Sequence, residues 1–193
     1  FKEVVVTGVL VGAYGMDCES VSLDLAVLLD TICGVEGLQR VRLSSIEPTQ
    51  VTEDLLQVFA SNPKLCNHLH IPLQSGSSSV LKAMNRPYDQ QFYLELCRRA
   101  YTLLPDLAIT SDIMVGFPGE DPAEFEQTLM VAREVGFARA HIFRYSPRPG
   151  TPAANMPDAV QDIIKDERSK ELAEVCRVTQ QNYIQRYLGK SMK

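Results

Sequence analysis

Glycines, small hydroxyls and hydrogen-bonding side chains gather at five places in this chain, each directly after a short β-branched or alternating run. They are Thr7-Gly8 with Gly12-Ala-Tyr-Gly15; Ser44-Ser-Ile-Glu47-Pro48; Gln74-Ser-Gly76; Asp112 with Gly116-Phe-Pro-Gly-Glu120; and Tyr145-Ser-Pro-Arg148-Pro-Gly150-Thr151. Such groups hold a polar ligand by hydrogen bonds, and glycine lets backbone approach it closely. Each cluster alone has a plainer reading. Gly-rich turns serve backbone geometry, Pro118-Gly119 is an ordinary turn pair, Glu47 suits a solvated loop and Asp112 a satisfied buried acid. Their recurrence at every strand end favours a ligand site.

His68 and His70 stand two apart on a strand and therefore share a face. A metal would need a third ligand, and His141 lies on another strand, so packed, hydrogen-bonded imidazoles are expected. The five cysteines, Cys18, Cys33, Cys66, Cys97 and Cys176, are odd in number and at least 15 positions apart. That is neither a disulfide framework nor a close metal-ligand cluster, so reduced thiols are expected.

The elements that must carry these clusters alternate from end to end. Strands are predicted at Glu3–Thr7, Arg40–Ser44, His68–Ile71, Ala108–Val115 and Arg139–Tyr145. Between them the apolar period becomes helical: Val21, Leu25, Leu28, Leu29 and Ile32; Tyr93, Cys97, Ala100, Tyr101 and Leu104; Phe125, Thr128, Leu129, Ala132 and Val135. Asp121 as N-cap, Pro122 at the first position and Gly136 at the stop bound the third of these. Thr52–Ala60 reads as a shorter helix, Val80–Met84 as one turn, and 162–187 as a long last helix whose Lys165-Asp-Glu-Arg-Ser-Lys-Glu171 run is expected to be a solvated face.

Alternation of this kind means parallel strands with right-handed crossovers, and strand centres recur every 28 to 42 residues or so, the size of one β/α unit. Five strands do not close an eight-strand barrel, which leaves an open or partial barrel or a doubly wound sheet. Ligands of such proteins bind at the carboxyl ends of the strands, where the five clusters lie.

With 45% apolar and 22% charged residues in 193, the chain has the balance of a globular protein with a sizeable core. A net charge of -5 argues against holding nucleic acid by bulk electrostatics. No apolar run is long enough to span a bilayer, and Phe-Lys-Glu-Val-Val-Val lacks the architecture of a secretory signal, so no membrane partner and a cytoplasmic location are expected. A start without Met and a stop at Leu-Gly-Lys-Ser-Met-Lys suggest a piece of a larger protein.

Taken in order, the motifs resemble the methylthiotransferase family of radical S-adenosylmethionine enzymes. The matching segments are Val6-Thr-Gly-Val-Leu-Val-Gly-Ala-Tyr-Gly15, Arg42-Leu-Ser-Ser-Ile-Glu-Pro48, His68-Leu-His-Ile-Pro-Leu-Gln-Ser-Gly76, Met84-Asn-Arg86, Asp112-Ile-Met-Val-Gly-Phe-Pro-Gly-Glu120 with Phe125 and Thr128, and Phe143-Arg-Tyr-Ser-Pro-Arg-Pro-Gly-Thr151. Six blocks in order cover nearly the whole chain.

The resemblance implies an α/β fold, a partial (β/α)6 TIM-like barrel of radical SAM type, here its strands two to six, with a long C-terminal helix. Residues 1–157 would be the core without its first strand and cysteine loop. Residues 158–193 would be the last helix and the start of a linker to an RNA-binding domain. The implied cofactors are S-adenosyl-L-methionine and [4Fe-4S] clusters whose ligands lie outside this chain, and the implied partners are tRNA and an electron donor. A reduced cluster would release a 5′-deoxyadenosyl radical that takes hydrogen from an adenine carbon before sulfur insertion. By resemblance, Thr7 and Gly8 lie near the methionyl amino group. Ser45 and Glu47 suit ribose hydroxyls or the amino group, and Gln74 and Ser75 the carboxylate or ribose. Asp112 points into the barrel, Gly116 and Tyr145 meet adenine, and Arg148 binds tRNA phosphate or the cofactor carboxylate.

Ser44-Ser-Ile-Glu-Pro48 is similar to the branch acting on N6-threonylcarbamoyladenosine beside the tRNA anticodon. The branches acting on isopentenyladenosine or a ribosomal-protein aspartate usually differ there. Without three close cysteines the chain alone is expected to bind S-adenosylmethionine weakly and cleave none. Two other readings stand beside this one: a cluster-free homologue that binds tRNA or a protein, and a β/α metabolic enzyme with a phosphate site at Gly116–Asp121.

Overall fold

A computed structural model describes residues 1–17 and 23–191. Cys18 and Val21, both used above, lie outside the described residues. The chain divides into two compact units, Phe1–Pro72 with Glu95–Ile109, and Leu73–Leu94 with Thr110–Lys193.

In the first unit, strand β1 (Glu3–Val6) pairs in parallel with β2 (Arg40–Leu43), in register from Glu3 opposite Arg40 to Val6 opposite Leu43. The crossover between them carries α1 (Leu25–Cys33), capped by Asp24, whose carboxylate accepts from the Val27 amide at 2.9 Å. Along β2 the exposed Arg40 and Arg42 alternate with buried Val41 and Leu43, the period of a strand with one covered face. Both arginines reach Glu3 at 2.7 Å and hold its carboxyl below the usual range. Helix α2 (Glu53–Ser61) starts at Thr52, which caps Leu55, and buries Leu55, Leu56 and Phe59. Strand β3 (His68–His70) stops one residue before the predicted end. Pro72 follows and has no amide hydrogen to extend a ladder.

In the second unit, β4 (Ala108–Val115) continues from Thr110 and pairs in parallel with β5 (Arg139–Arg144). The crossover is α5 (Pro122–Val135), with Asp121 accepting from the Glu124 amide and Gly136 in the left-handed conformation (φ 68°), as the residue pattern predicts. Ile109, Ser111, Ile113 and Val115 are buried, whereas Thr110, Asp112 and Met114 share the half-exposed face of β4. The short α3 (Ser78–Ala83) ends in a Schellman turn: Asn85 takes φ 56°, and the Asn85 and Arg86 amides donate to the carbonyls of Lys82 and Leu81. Helix α4 (Gln90–Leu103) leads towards β4.

The long α6 (Asp162–Gln185) packs against β5 and α5. Its inward stripe is Lys165, Arg168, Leu172, Cys176 and Thr179. The expectation of a wholly solvated charge run is therefore corrected: Lys165 and Arg168 are buried at 8% and 7% exposure. The helical period puts them in line with Leu172, and Arg168 finds a buried carboxylate partner, described below.

Among the described residues no helix is long and apolar enough to cross a membrane.

Candidate functional site

The loops leaving β1 and β2 place four of the predicted residues at strand carboxyl ends. Thr7 and Gly8 follow β1 and are exposed, and the Ser44 amide donates to Val6 O at 2.9 Å. Ser45 is exposed and bridges His70 in parallel, with the Ile46 amide on His70 O at 3.0 Å. Glu47 is half-buried and opens a 3-10 turn, Pro48–Gln50. These two loops touch: a Cβ on Gly12 would lie 2.4 Å from Gln50 Oε1, so a larger residue there would displace the Gln50 side chain. His68 and His70 flank the fully buried Leu69. Burial, the neighbouring His70 and Arg42 push the His68 imidazole below its usual value.

Around the carboxyl end of β4, in the second unit, Gln74 has a left-handed backbone (φ 64°), which a side chain makes costly. Its amide donates to Asp112 O at 2.9 Å and its carbonyl accepts from Met114 at 2.8 Å, so β4 imposes the conformation. A cavity of about 400 Å³ opens here, lined by Gln74, Met84, Arg86, Met114, Phe117 and Tyr145 among others. An adjoining one of about 410 Å³ shares Met114, Tyr145, Thr151 and Ala153 and adds Arg148. Both fall within the size range of small-molecule sites. Tyr145 is held by its amide on Val115 O at 2.9 Å, and its ring meets Phe117 edge-on at 5.3 Å. Its hydroxyl is buried with no hydrogen-bond partner among the described residues. An orphan polar atom beside a cavity is where a ligand group is expected.

The structure thus brings Gln74, Tyr145 and Arg148 together. Asp112 lies on the open face of β4, in register with His141 on β5, but lines neither cavity. Ser75 is fully buried and its hydroxyl accepts from the Ser77 amide at 3.2 Å, so it supports the turn after Gln74 and lines neither cavity. Gly116 (φ 75°), expected to meet adenine, is closely approached by protein: a Cβ there would lie 2.3 Å from Lys165 Cγ.

Sequence reasoning missed Glu120 as a site residue. Its side chain is fully buried, Oε1 accepts from the Gly116 amide at 2.9 Å and from Arg168 Nη1 at 2.6 Å, and burial raises its pKa against those two opposing donors. A carboxylate seated on the Gly116 amide, and another, Asp121, on the amide of Glu124, occupy two of the donors that a phosphate at Gly116–Asp121 could use. Met84, Arg86 and Thr151 were quoted as motif residues without a role, and the structure puts all three on the cavity wall.

Iron–sulfur ligation is not built into the described residues. Cys33, Cys97 and Cys176 are buried on three different helices, Cys66 is half-buried, and no three His, Cys, Asp or Glu side chains come together to hold a metal. Burial pushes the Cys176 thiol up to about 11, the reverse of what a thiolate ligand requires.

Residues 3–132 match the model of the radical SAM superfamily. Over all 193 residues the chain is 46% identical to the threonylcarbamoyladenosine tRNA methylthiotransferase MtaB of Thermotoga maritima, spanning 44% of that protein. It is 43% identical to the Bacillus subtilis protein of the same name over 97% of the chain and 41% of that relative. A tRNA-2-methylthio-N(6)-dimethylallyladenosine synthase of Clostridium botulinum is 40% identical over 98% of the chain and 42% of its own length. The chain therefore spans less than half the length of these curated relatives. Among solved structures, the coproporphyrinogen III oxidase HemN of Escherichia coli, a radical SAM enzyme, aligns with TM-score 0.59 at 20% identity, over 74% of this chain and 33% of that one. Likeness at that identity carries the fold alone, and the fold it carries is the partial (β/α)6 architecture expected above. Parallel strands joined by helical crossovers, polar clusters at the strand ends and a family model matched over most of the residues converge: the chain belongs to the radical SAM superfamily.

Proposed function

We propose that this chain is the core portion of a tRNA methylthiotransferase that adds a methylthio group to N6-threonylcarbamoyladenosine beside the anticodon, in the cytoplasm. The supporting observation is the 46% identity, without loss of coverage along this chain, to a relative bearing that activity in its name. Bound to the whole protein, S-adenosylmethionine and a [4Fe-4S] cluster would supply radical chemistry at the adenine carbon. The cluster ligands and the electron donor's docking site are assigned to parts of the protein other than the described cysteines, and the RNA-binding domain to the chain after residues 158–193.

This chain's residues bind, orient and exclude water. For the first unit, Thr7 and Gly8 are proposed for the methionyl amino group, and Ser45 and Glu47 for ribose hydroxyls or that amino group. For the second, Gln74 is proposed for the carboxylate or ribose, Tyr145 and the Gly116 loop for adenine, and Arg148 for tRNA phosphate or the cofactor carboxylate. Asp112 offers an acceptor on the open face of β4, and Ser75 supports the turn after Gln74.

The test is a bacterial strain lacking its own methylthiotransferases, given the full-length protein that contains this chain, with tRNA nucleosides read by mass spectrometry. Appearance of 2-methylthio-N6-threonylcarbamoyladenosine is expected. Methylthiolated dimethylallyladenosine instead would move the protein to the branch of the Clostridium relative, which the 40% identity keeps in view. Neither product would favour a cluster-free binding module.

A further inference from the structure

Two inward cations of α6 converge on one glycine. Arg168 Nη1 donates both to Glu120 Oε1 at 2.6 Å and to the Glu120 carbonyl at 2.9 Å, while Oε1 also accepts from the Gly116 amide at 2.9 Å. The guanidinium carbon stands 5.3 Å from the Phe125 ring centre, and the two side chains are 9% and 0% exposed. One turn earlier, the Lys165 stem occupies the space where a Gly116 Cβ would be, and its ammonium lies 5.7 Å from the Tyr145 ring centre. Gly116 is thus held by the hydrogen bond its amide donates to Glu120 and covered by Lys165, and the next residue, Phe117, forms the cavity wall with Tyr145.

A buried ion pair is a poor device for stability alone, because apolar residues of the same volume do as well or better once desolvation is counted. Glu120 bears that cost in full: its second oxygen, Oε2, is buried without a partner among the described residues. What an apolar residue cannot do is accept from the Gly116 amide and from Arg168 at the same time, which sets the orientation of that peptide.

We propose that Glu120 and Arg168 are positioning residues, which fix the Gly116–Phe117 peptide and so the shape of the Tyr145 cavity in which the cofactor is bound. This rests on the cofactor reading given above. The full-length protein is compared with the double variant Glu120→Met/Arg168→Leu and the single variant Arg168→Leu. Readouts are thermal unfolding, amide hydrogen exchange over Gly116–Phe117 without ligand, and KM and kcat for S-adenosylmethionine in the cluster-loaded enzyme.

The double variant is expected to unfold within a few degrees of wild type, yet to exchange the Gly116–Phe117 amides about tenfold faster. Its KM should rise about tenfold, by much more than kcat falls. Wild-type exchange and KM in a stable double variant would overturn the proposal, because the pair would then serve stability only. Should the double variant not fold, Arg168→Leu, which removes the donor that fixes Glu120 Oε1, must show faster exchange and the same KM-weighted loss; unchanged values there overturn it. A wild-type protein that leaves S-adenosylmethionine uncleaved would sink the functional reading, while the exchange data still decide the positioning role.

Discussion

Tyr145 and Gln74 each carry a local cost that folding alone does not explain. The Tyr145 hydroxyl is buried and unpartnered, and Gln74 holds φ 64° without being glycine. A buried unsatisfied hydroxyl costs roughly 1–3 kcal/mol, so Tyr145→Phe should raise the unfolding midpoint of the ligand-free protein by a few degrees. The same variant should weaken ligand binding in the cavity. A midpoint unchanged or lowered in a thermal melt would show that the hydroxyl is satisfied in solution. Such trade-offs of stability for ligand contact are typical of binding sites. From the sequence Tyr145 could be placed at a strand end, but nothing in its neighbours reveals that its hydroxyl lacks a partner, since that depends on Phe117, Met114 and the turn at Thr151.

Helices and strands were legible where their signals are local. Asp121, Pro122 and Gly136 mark the ends of α5 because capping needs only residues within one turn, and the full length of β4 follows from its alternation. The inward face of α6 was misread for a physical reason: charged residues normally face water, and Arg168 departs from that rule only because Glu120 waits for it. Packing of α5 against the loop after β3 gives a sharp test. A Cβ on Gly76 would lie 2.4 Å from Thr128 Cα and 2.7 Å from Gln127 O, and both are helix backbone that cannot swing aside. The Gly76 amide also donates to Thr128 Oγ1 at 3.0 Å. Gly76→Ala should therefore cost about 1–3 kcal/mol by overpacking, seen as a lower urea midpoint; an unchanged midpoint would mean that α5 can retreat.

At the scale of the whole chain, the cysteines set a limit on what this part can do. Cys33, Cys97 and Cys176 are buried far apart in sequence on separate helices, and Cys66 stands alone. When the 193-residue chain is treated anaerobically with iron and sulfide, no [4Fe-4S] absorption band is expected. A cluster that is lost on replacing these cysteines by serine would refute this. A net charge of -5 gives this chain no basic surplus, so under the proposed function most of the grip on tRNA phosphates would fall to other segments of a full-length protein.

The residue pattern by itself determined the β/α alternation, the helix caps, the gathering of polar groups at the strand ends and the family resemblance. All of these rest on periodicity, backbone preference or short motifs that a linear chain displays. Only the tertiary structure decided that Glu120 meets Arg168 across 48 positions, that the Lys165 stem covers Gly116, and that Ser75 is fully buried while Tyr145 borders the cavity. Such pairings depend on where α6 comes to rest against β5 and α5, and the partners are too far apart along the chain for any local pattern to connect them.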